Sequence, residues 1–338
     1  MQFNCRNSQL CPGSFDENRV VGRYLLDSIA NLEESPHPFE FLDGQTYTDK
    51  GSKSVQVKAS HSGLNKRQAS LLLAVFGSGK ARVRPLIIFK GKEVYEGRRS
   101  EYYKRKRKEE MARYDQRVEV HWNENAYANS HLLVDWINQM LVPVLPPGPR
   151  LLALDVVKFH STQEVLSTLR SHDIVPSLIP PGCTGLVQPL DVSVNKPFKC
   201  LLRDILDELL DDFEAKNNLN LREIPRANSL AIAEWRILVT QAVGEAWDQF
   251  TRKYQELVVE TFRKLGLTLP IDGSCDDELS VKGIEPALLQ IGDWTSIDSH
   301  LRNSPLAPSR DPLNTLHTLT LGVGQAGQDL GLEFINRE

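Results

Sequence analysis

Asp155 and Asp191 are the residues of this chain best placed to do chemistry. Asp155 ends the apolar run Leu151-Leu152-Ala153-Leu154, and His160 follows it. Asp191 comes after the turn-rich Pro180-Pro181-Gly182-Cys183-Thr184-Gly185, within Leu186-Val187-Gln188-Pro189-Leu190-Asp191-Val192. The first carboxylate is predicted at the carboxyl end of a strand. The second is predicted in the first turn of a later helix. Pro189 suits a first helical position because its missing N–H is not needed there, and the helix dipole then favours the Asp191 carboxylate. Two acids delivered to one place in this way can hold a pair of divalent metal ions. Taken alone, the same pair also fits a helix cap and a surface acid.

The elements that must position these acids follow from hydrophobic periodicity. A strand is predicted at 24–34, closed at Ser35 because Pro36 biases its predecessor toward extended structure. Alternating Val55 and Val57 mark a strand at 54–59, and the apolar block at 69–76 marks a buried one. Gly77-Ser78-Gly79-Lys80 lacks the full spacing of a phosphate loop and is read as a turn before a strand at 84–90. These strands, joined by short loops, predict an antiparallel meander. A charged helix is expected within 92–117, a short strand at 118–122, and a helix at 129–142 from the stripe Leu132, Leu133, Trp136, Ile137 and Met140. After a proline-rich connector come a strand at 151–155, a helix at 162–172 and a strand at 174–179. Such a βαβ unit is expected to pair in parallel. Pro197 should kink or restart the next helix, whose stripe from Leu201 to Phe213 is expected to be core or interface. Helices at 230–250 and 257–265 follow, the second stopping at Gly266.

This order predicts an α/β chain: an RNase H-like mixed sheet with flanking helices, followed by a helical C-terminal extension. The expected divisions are a loose lead-in at 1–20, the core at 21–215, the extension at 216–290 and a flexible tail at 291–338. The 338 residues are 41% hydrophobic and 25% charged, as in ordinary globular chains. A net charge of −4 excludes a global polycation, so any nucleic-acid contact must come from local basic patches. Cys5, Cys11, Cys183, Cys200 and Cys275 form no CxxC pair, which argues against a zinc site and for a reduced intracellular protein. The amino terminus lacks the apolar run of a signal peptide, and no stretch is long and apolar enough to span a membrane.

Several segments together resemble the DDE transposases of the pogo/Tigger group, within the mariner superfamily, and their domesticated relatives. Asn31-Leu32-Glu33-Glu34-Ser35-Pro36 is similar to that group's first-acid block, Asn-x-Asp-Glu-Thr-Pro. Arg84-Pro85-Leu86-Ile87-Ile88-Phe89-Lys90-Gly91-Lys92 is similar to its Pro-x-Ile-Ile-Phe-Lys-Gly strand. Leu154-Asp155 with His160 resembles the second-acid block. The segment from Ile179 through Pro180-Pro181-Gly182 to Gln188-Pro189-Leu190-Asp191 resembles the third, extended by Asn195-Lys196-Pro197-Phe198-Lys199.

The resemblance implies two-metal phosphoryl transfer on DNA. Three carboxylates, here Glu33, Asp155 and Asp191, would hold two Mg²⁺ or Mn²⁺ ions about 3.5–4 Å apart. Glu34, His160 and Gln188 take supporting places in the same blocks. Lys104-Arg105-Lys106-Arg107-Lys108, with Lys196 and Lys199, would contact phosphates; the basic run also fits a nuclear import signal or a solvated helix face. DNA is the implied partner, self-association the implied assembly and the nucleus the implied location, with no membrane and no small-molecule cofactor. Two departures qualify the activity. Glu33 stands where the group has Asp, and an extra methylene moves a carboxylate by about 1 Å, enough to cost roughly 10²-fold in rate. The first-acid block also comes too early for the group's helix-turn-helix domains, so a fragment, a decayed copy or a domesticated core is expected. The alternative function is therefore an inactive core acting as a DNA- or protein-binding module.

Overall fold

The protein's structure, a computed structural model, describes residues 20–21, 24–38, 67–92, 100–218, 221, 229–270 and 274–285. The strand predicted at 54–59, the lead-in through residue 19 and the tail at 291–338 lie outside the described residues. Six strands form one mixed sheet: β1 (Ile29–Pro38), β2 (Arg67–Phe76), β3 (Leu86–Lys90), β4 (Glu119–Asn123), β5 (Arg150–Asp155) and β6 (Ile174–Ile179). Their order across the sheet is β4-β3-β2-β1-β5-β6. β2 runs antiparallel to both β1 and β3; β4 lies parallel to β3, β5 parallel to β1, and β6 parallel to β5. This is the RNase H-like α/β arrangement that the sequence predicts.

The helices are α1 (Ser100–Met111), α2 (Ser130–Trp136), α3 (Gln163–Ser171), α4 (Thr184–Val187), α5 (Asn195–Asn217), α6 (Ser229–Lys253) and α7 (Gln255–Lys264). They cover both faces of the sheet, which explains why β2 is a continuous apolar run rather than an alternating one. Leu71, Leu73 and Val75 pack with Phe198, Trp235, Val243 and Phe250 of α5 and α6. Leu72, Ala74 and Phe76 pack on the opposite face with Leu133 of α2 and Val165 and Leu169 of α3. Residues 229–264 thus share one core with the sheet. Among the described residues no helix is long and apolar enough to cross a membrane.

Three local differences from the sequence reading have clear causes. The strand predicted at 24–34 is broken: Tyr24–Leu25 pairs with Val20–Val21, a 3-10 turn covers Leu26–Ser28, and β1 then runs on through Pro38. Pro36 enforces extended structure before it without ending the strand. Beyond Asn31 the ladder with β5 stops and β1 is paired by β2 alone, and a strand paired on one side tolerates proline. The predicted helix at 129–142 begins as α2, capped by the Asn129 side chain accepting the Leu132 N–H at 2.9 Å. It then widens into a π-helical turn at Ile137–Leu141 and ends in a 3-10 turn at Val142–Val144, where Pro143 has no N–H to donate. The restart expected at Pro197 also lies slightly earlier. A π-helical turn at Leu190–Val194 precedes α5, and Pro197 falls in the first turn of α5, where a missing donor costs little.

Phe198 locks this helix start to the core. It is fully buried, with its ring edge-on to Trp247 at 5.6 Å and to Phe250 at 6.1 Å. Phe198→Ala is expected to lower unfolding free energy by roughly 3–5 kcal/mol, measured by urea denaturation. A loss under about 1 kcal/mol would show that α5 is not held through this contact.

Candidate functional site

Asn31 determines where the acids meet. β1 and β5 pair through Ile29–Leu151, Ala30–Leu152 and Asn31–Ala153. At the last pair the wholly buried Asn31 side chain takes over: Nδ2 donates to the Ala153 carbonyl at 2.9 Å, and Oδ1 accepts the Leu190 N–H at 2.9 Å. That N–H belongs to the first residue of the π-helical turn, where backbone donors lack helical partners. One side chain therefore joins two strand ends to a helix start. Asp191 is the next residue along that turn. Glu33 lies two residues beyond Asn31 and so on the same face of β1. Continuing the β1–β5 register sets Asp155 level with Glu33.

Glu33 and Asp191 come together. Asn195 Nδ2 donates to Glu33 Oε2 at 2.8 Å and reaches Asp191 Oδ1 at 3.4 Å. Gln188 also donates to Glu33. Burial, then the hydrogen bond to Asp191 and its negative charge, push the Glu33 carboxyl from an ordinary 4.5 up to about 8; Asn195 and Gln188 act in the opposite direction. The Glu33 carboxyl therefore keeps its proton well above the ordinary carboxylate range. Asp191 is exposed, so the cluster opens to solvent. Gln188 and Asn195 are buried, and their carbonyl oxygens Oε1 and Oδ1 have no hydrogen-bond donor.

Asp155 is engaged differently. Its Oδ1 lies 2.8 Å from Nδ1 of His160, and its backbone oxygen lies 3.0 Å from the same nitrogen. His160 is buried at 1% exposure. Among the described residues, no three His, Cys, Asp or Glu side chains are grouped as a metal would need. The structure thus gathers Glu33, Asp191 and Gln188 in one cluster and places Asp155 with His160 in another, at the end of the neighbouring strand. Glu34 joins neither: it lies on the opposite face of β1 and accepts the Ala128 N–H at 3.0 Å.

The basic run lies on α1, a helix with no buried residue. Lys104 pairs with Glu101 at 2.9 Å, and Lys106 and Arg105 pair with Glu109 at 2.9 and 3.7 Å. Exposed pairs of this kind are weak and exchange readily for phosphate. Arg107 departs from the sequence reading: its guanidinium stacks over Trp122 at 3.9 Å and donates to the Lys92 carbonyl, anchoring α1 to the sheet edge. Lys196 is exposed and Lys199 half-buried on α5. Burial, and then the Lys199 charge, push His37 of β1 down to about 3.

Asn31 and Asn195 carry the geometry, and the sequence reading gave neither a role. Asn195 had a signal, since it lies four residues after Asp191 and such positions share a helix face. Asn31 opens the first-acid block, but its bridging role was hidden because its partners Ala153 and Leu190 are distant in sequence.

Residues 66–249 match the family of DDE superfamily endonucleases. The chain belongs to this family. The DDE match begins beyond Glu33 and includes Asp155 and Asp191. Among named relatives, a mouse protein called "Pogo transposable element with KRAB domain" is 22% identical over 266 residues, covering 78% of this chain. Its human counterpart is 23% identical over 256 residues, covering 75% of this chain. A human "Pogo transposable element with ZNF domain" is 35% identical over 52 residues, 15% of this chain and 4% of its own length. The DDE chain spans 39% and 37% of the length of the two KRAB-domain relatives.

Two outcomes are expected from this geometry. Asn31→Ala leaves the buried Leu190 N–H and Ala153 carbonyl without their side-chain partner, at about 1–3 kcal/mol each; urea unfolding measures the loss, and a change under about 0.5 kcal/mol would contradict the bridging role. The second concerns Glu33. Its folded value lies above its ordinary one, so its contribution to stability is complete below pH 4.5 and is lost as pH rises through about 8. Thermal melts in EDTA are expected to show wild-type stability declining across that window and Glu33→Gln removing the decline. Equal pH profiles would contradict the raised Glu33 carboxyl.

Proposed function

We propose that this DDE superfamily chain is a transposase-derived core that binds DNA and cleaves its strands by metal-dependent phosphoryl transfer at Glu33, Asp155 and Asp191. The observation that carries this reading is the meeting of Glu33 from a strand with Asp191 from a helix start, within the family's fold. Two of the three acids stand together, and their chemistry suits a divalent cation. Carboxylate and amide oxygens are hard donors that suit Mg²⁺ or Mn²⁺. A cation would relieve the repulsion that pushes Glu33 up, and the two buried amide oxygens have room in their bonding for such a partner. Glu33 and Asp191 would hold it, with Asp155 released from His160 to join them. When bound, the metal supplies activation of a water or a DNA 3′-OH and stabilisation of the leaving oxygen.

The chain's own groups perform the remaining tasks. Gln188 and Asn195 orient Glu33. His160 holds the Asp155 carboxylate through Nδ1 until a cation draws it away. The exposed Asp191 gives a phosphate backbone access to the acids, while Lys104, Arg105, Lys106 and Lys108 on α1 contact phosphates by charge. A DNA substrate and the basic run on α1 are the grounds for proposing a nuclear location. The extra methylene of Glu33 makes cleavage slow. Engagement of Asp155 by His160 favours a second reading, a core that binds DNA or protein without cutting.

Nicking of supercoiled plasmid in Mg²⁺ or Mn²⁺ separates the two. The wild-type chain is expected to nick slowly, Glu33→Asp roughly 10-fold or more faster, and Asp155→Asn and Asp191→Asn not at all. If Asp155→Asn nicks as wild type does, or neither wild type nor Glu33→Asp nicks while DNA is still bound, the cleavage reading fails and the binding reading stands.

A further inference from the structure

Asn195 is not one of the three acids, yet it sits within the acid cluster. Its Nδ2 touches both acids, at 2.8 Å from Glu33 and 3.4 Å from Asp191. It is 9% exposed and lies at the start of the 23-residue α5. Asparagine is a poor helix residue unless its side chain serves as a cap, where the side-chain oxygen accepts a backbone N–H. Asn195 does the opposite. Its oxygen accepts nothing, although buried, while its nitrogen faces the carboxylates. Gln188, 1% exposed, repeats the pattern: it donates to Glu33 and leaves a buried Oε1 without a donor. Two amides arranged this way lower the stability of the empty fold, so their orientation answers to something other than folding.

The length of Glu33 supplies the reason. A glutamate carries its carboxylate one methylene beyond the reach of an aspartate, and here that carboxylate meets Asn195 beside Asp191. We propose that Asn195 is a positioning residue of the acid site: its amide holds the longer Glu33 side chain beside Asp191, so that a glutamate at this place shares a divalent cation with Asp191. This rests on the metal-binding reading above. It adds that Glu33 and Asn195 act as a pair, and that an aspartate at position 33, stopping short of the amide, does without Asn195.

A double-mutant cycle tests it, using wild type, Asn195→Ala, Glu33→Asp and the double variant. Mn²⁺ affinity is read by electron paramagnetic resonance and the metal-free fold by thermal melts in EDTA. Asn195→Ala is expected to weaken Mn²⁺ binding about 10–100-fold in the wild-type background, as losses of groups that orient ligands do, and less than about 2-fold in the Glu33→Asp background. Equal loss in both backgrounds, or no loss in either, overturns the proposal. If the wild-type chain binds no Mn²⁺ at all, the metal reading fails separately, and the EDTA melts then decide. A melting shift from Asn195→Ala that disappears in the Glu33→Asp background supports the pairing of the two side chains; shifts that simply add overturn it.

Discussion

The arrangement of this protein depends on the two hydrogen bonds of Asn31. A carboxamide carries both a donor and an acceptor, and here each goes to backbone of a different element. The donor replaces a ladder bond where β1 and β5 part. The acceptor satisfies the first N–H of the turn that leads into α5. A carboxylate at this position would lack the donor, and an apolar side chain would leave two buried backbone groups unmatched. Because Glu33 is two residues further along one partner and Asp191 one residue further along the other, this bridge sets the distance between the acids. The wider fold supports it from both sides, with Phe198 holding α5 against α6 and the sheet.

The cluster built on this bridge is poorly satisfied by itself. Burial and the neighbouring Asp191 push Glu33 up, and two buried amide oxygens lack donors. Around α6 charged groups are matched: Arg236 forks onto Glu110 at 2.6 and 2.8 Å, and Arg117 meets Asp115, Glu245 and Asp248. A chain that pairs its charges around α6 but not at the mouth of β1 has kept the discomfort where a ligand would relieve it. His160 plays the balancing part for Asp155, occupying a carboxylate at the edge of the same site.

Much of the fold was legible because strands and helices announce themselves by period. The βαβ unit at 150–179 has two apolar strands flanking an amphipathic helix, and both the elements and their parallel pairing were readable. The broken start of β1 was not, since a 3-10 turn at Leu26–Ser28 leaves the local apolar pattern unchanged. The π-helical turns at Ile137–Leu141 and Leu190–Val194 were also hidden, because a single extra residue in a turn barely alters a stripe. For the site, residue types and motif order brought out Glu33, Asp155 and Asp191. The pairing of Glu33 with Asp191, and the contact of Asp155 with His160, required three dimensions; the turning of Glu34 to the other face followed from strand alternation alone.

The central claim is that Glu33 and Asp191 are held together to receive a divalent cation. The most direct measurement is an anomalous-difference map from crystals of the protein soaked in Mn²⁺ above pH 8, where the Glu33 proton is most easily displaced. The account predicts a manganese peak bounded by the carboxylate oxygens of Glu33 and Asp191, with Asp155 turned from His160 toward it. A map without manganese at this place, with the Glu33–Asp191 hydrogen bond intact, would contradict it.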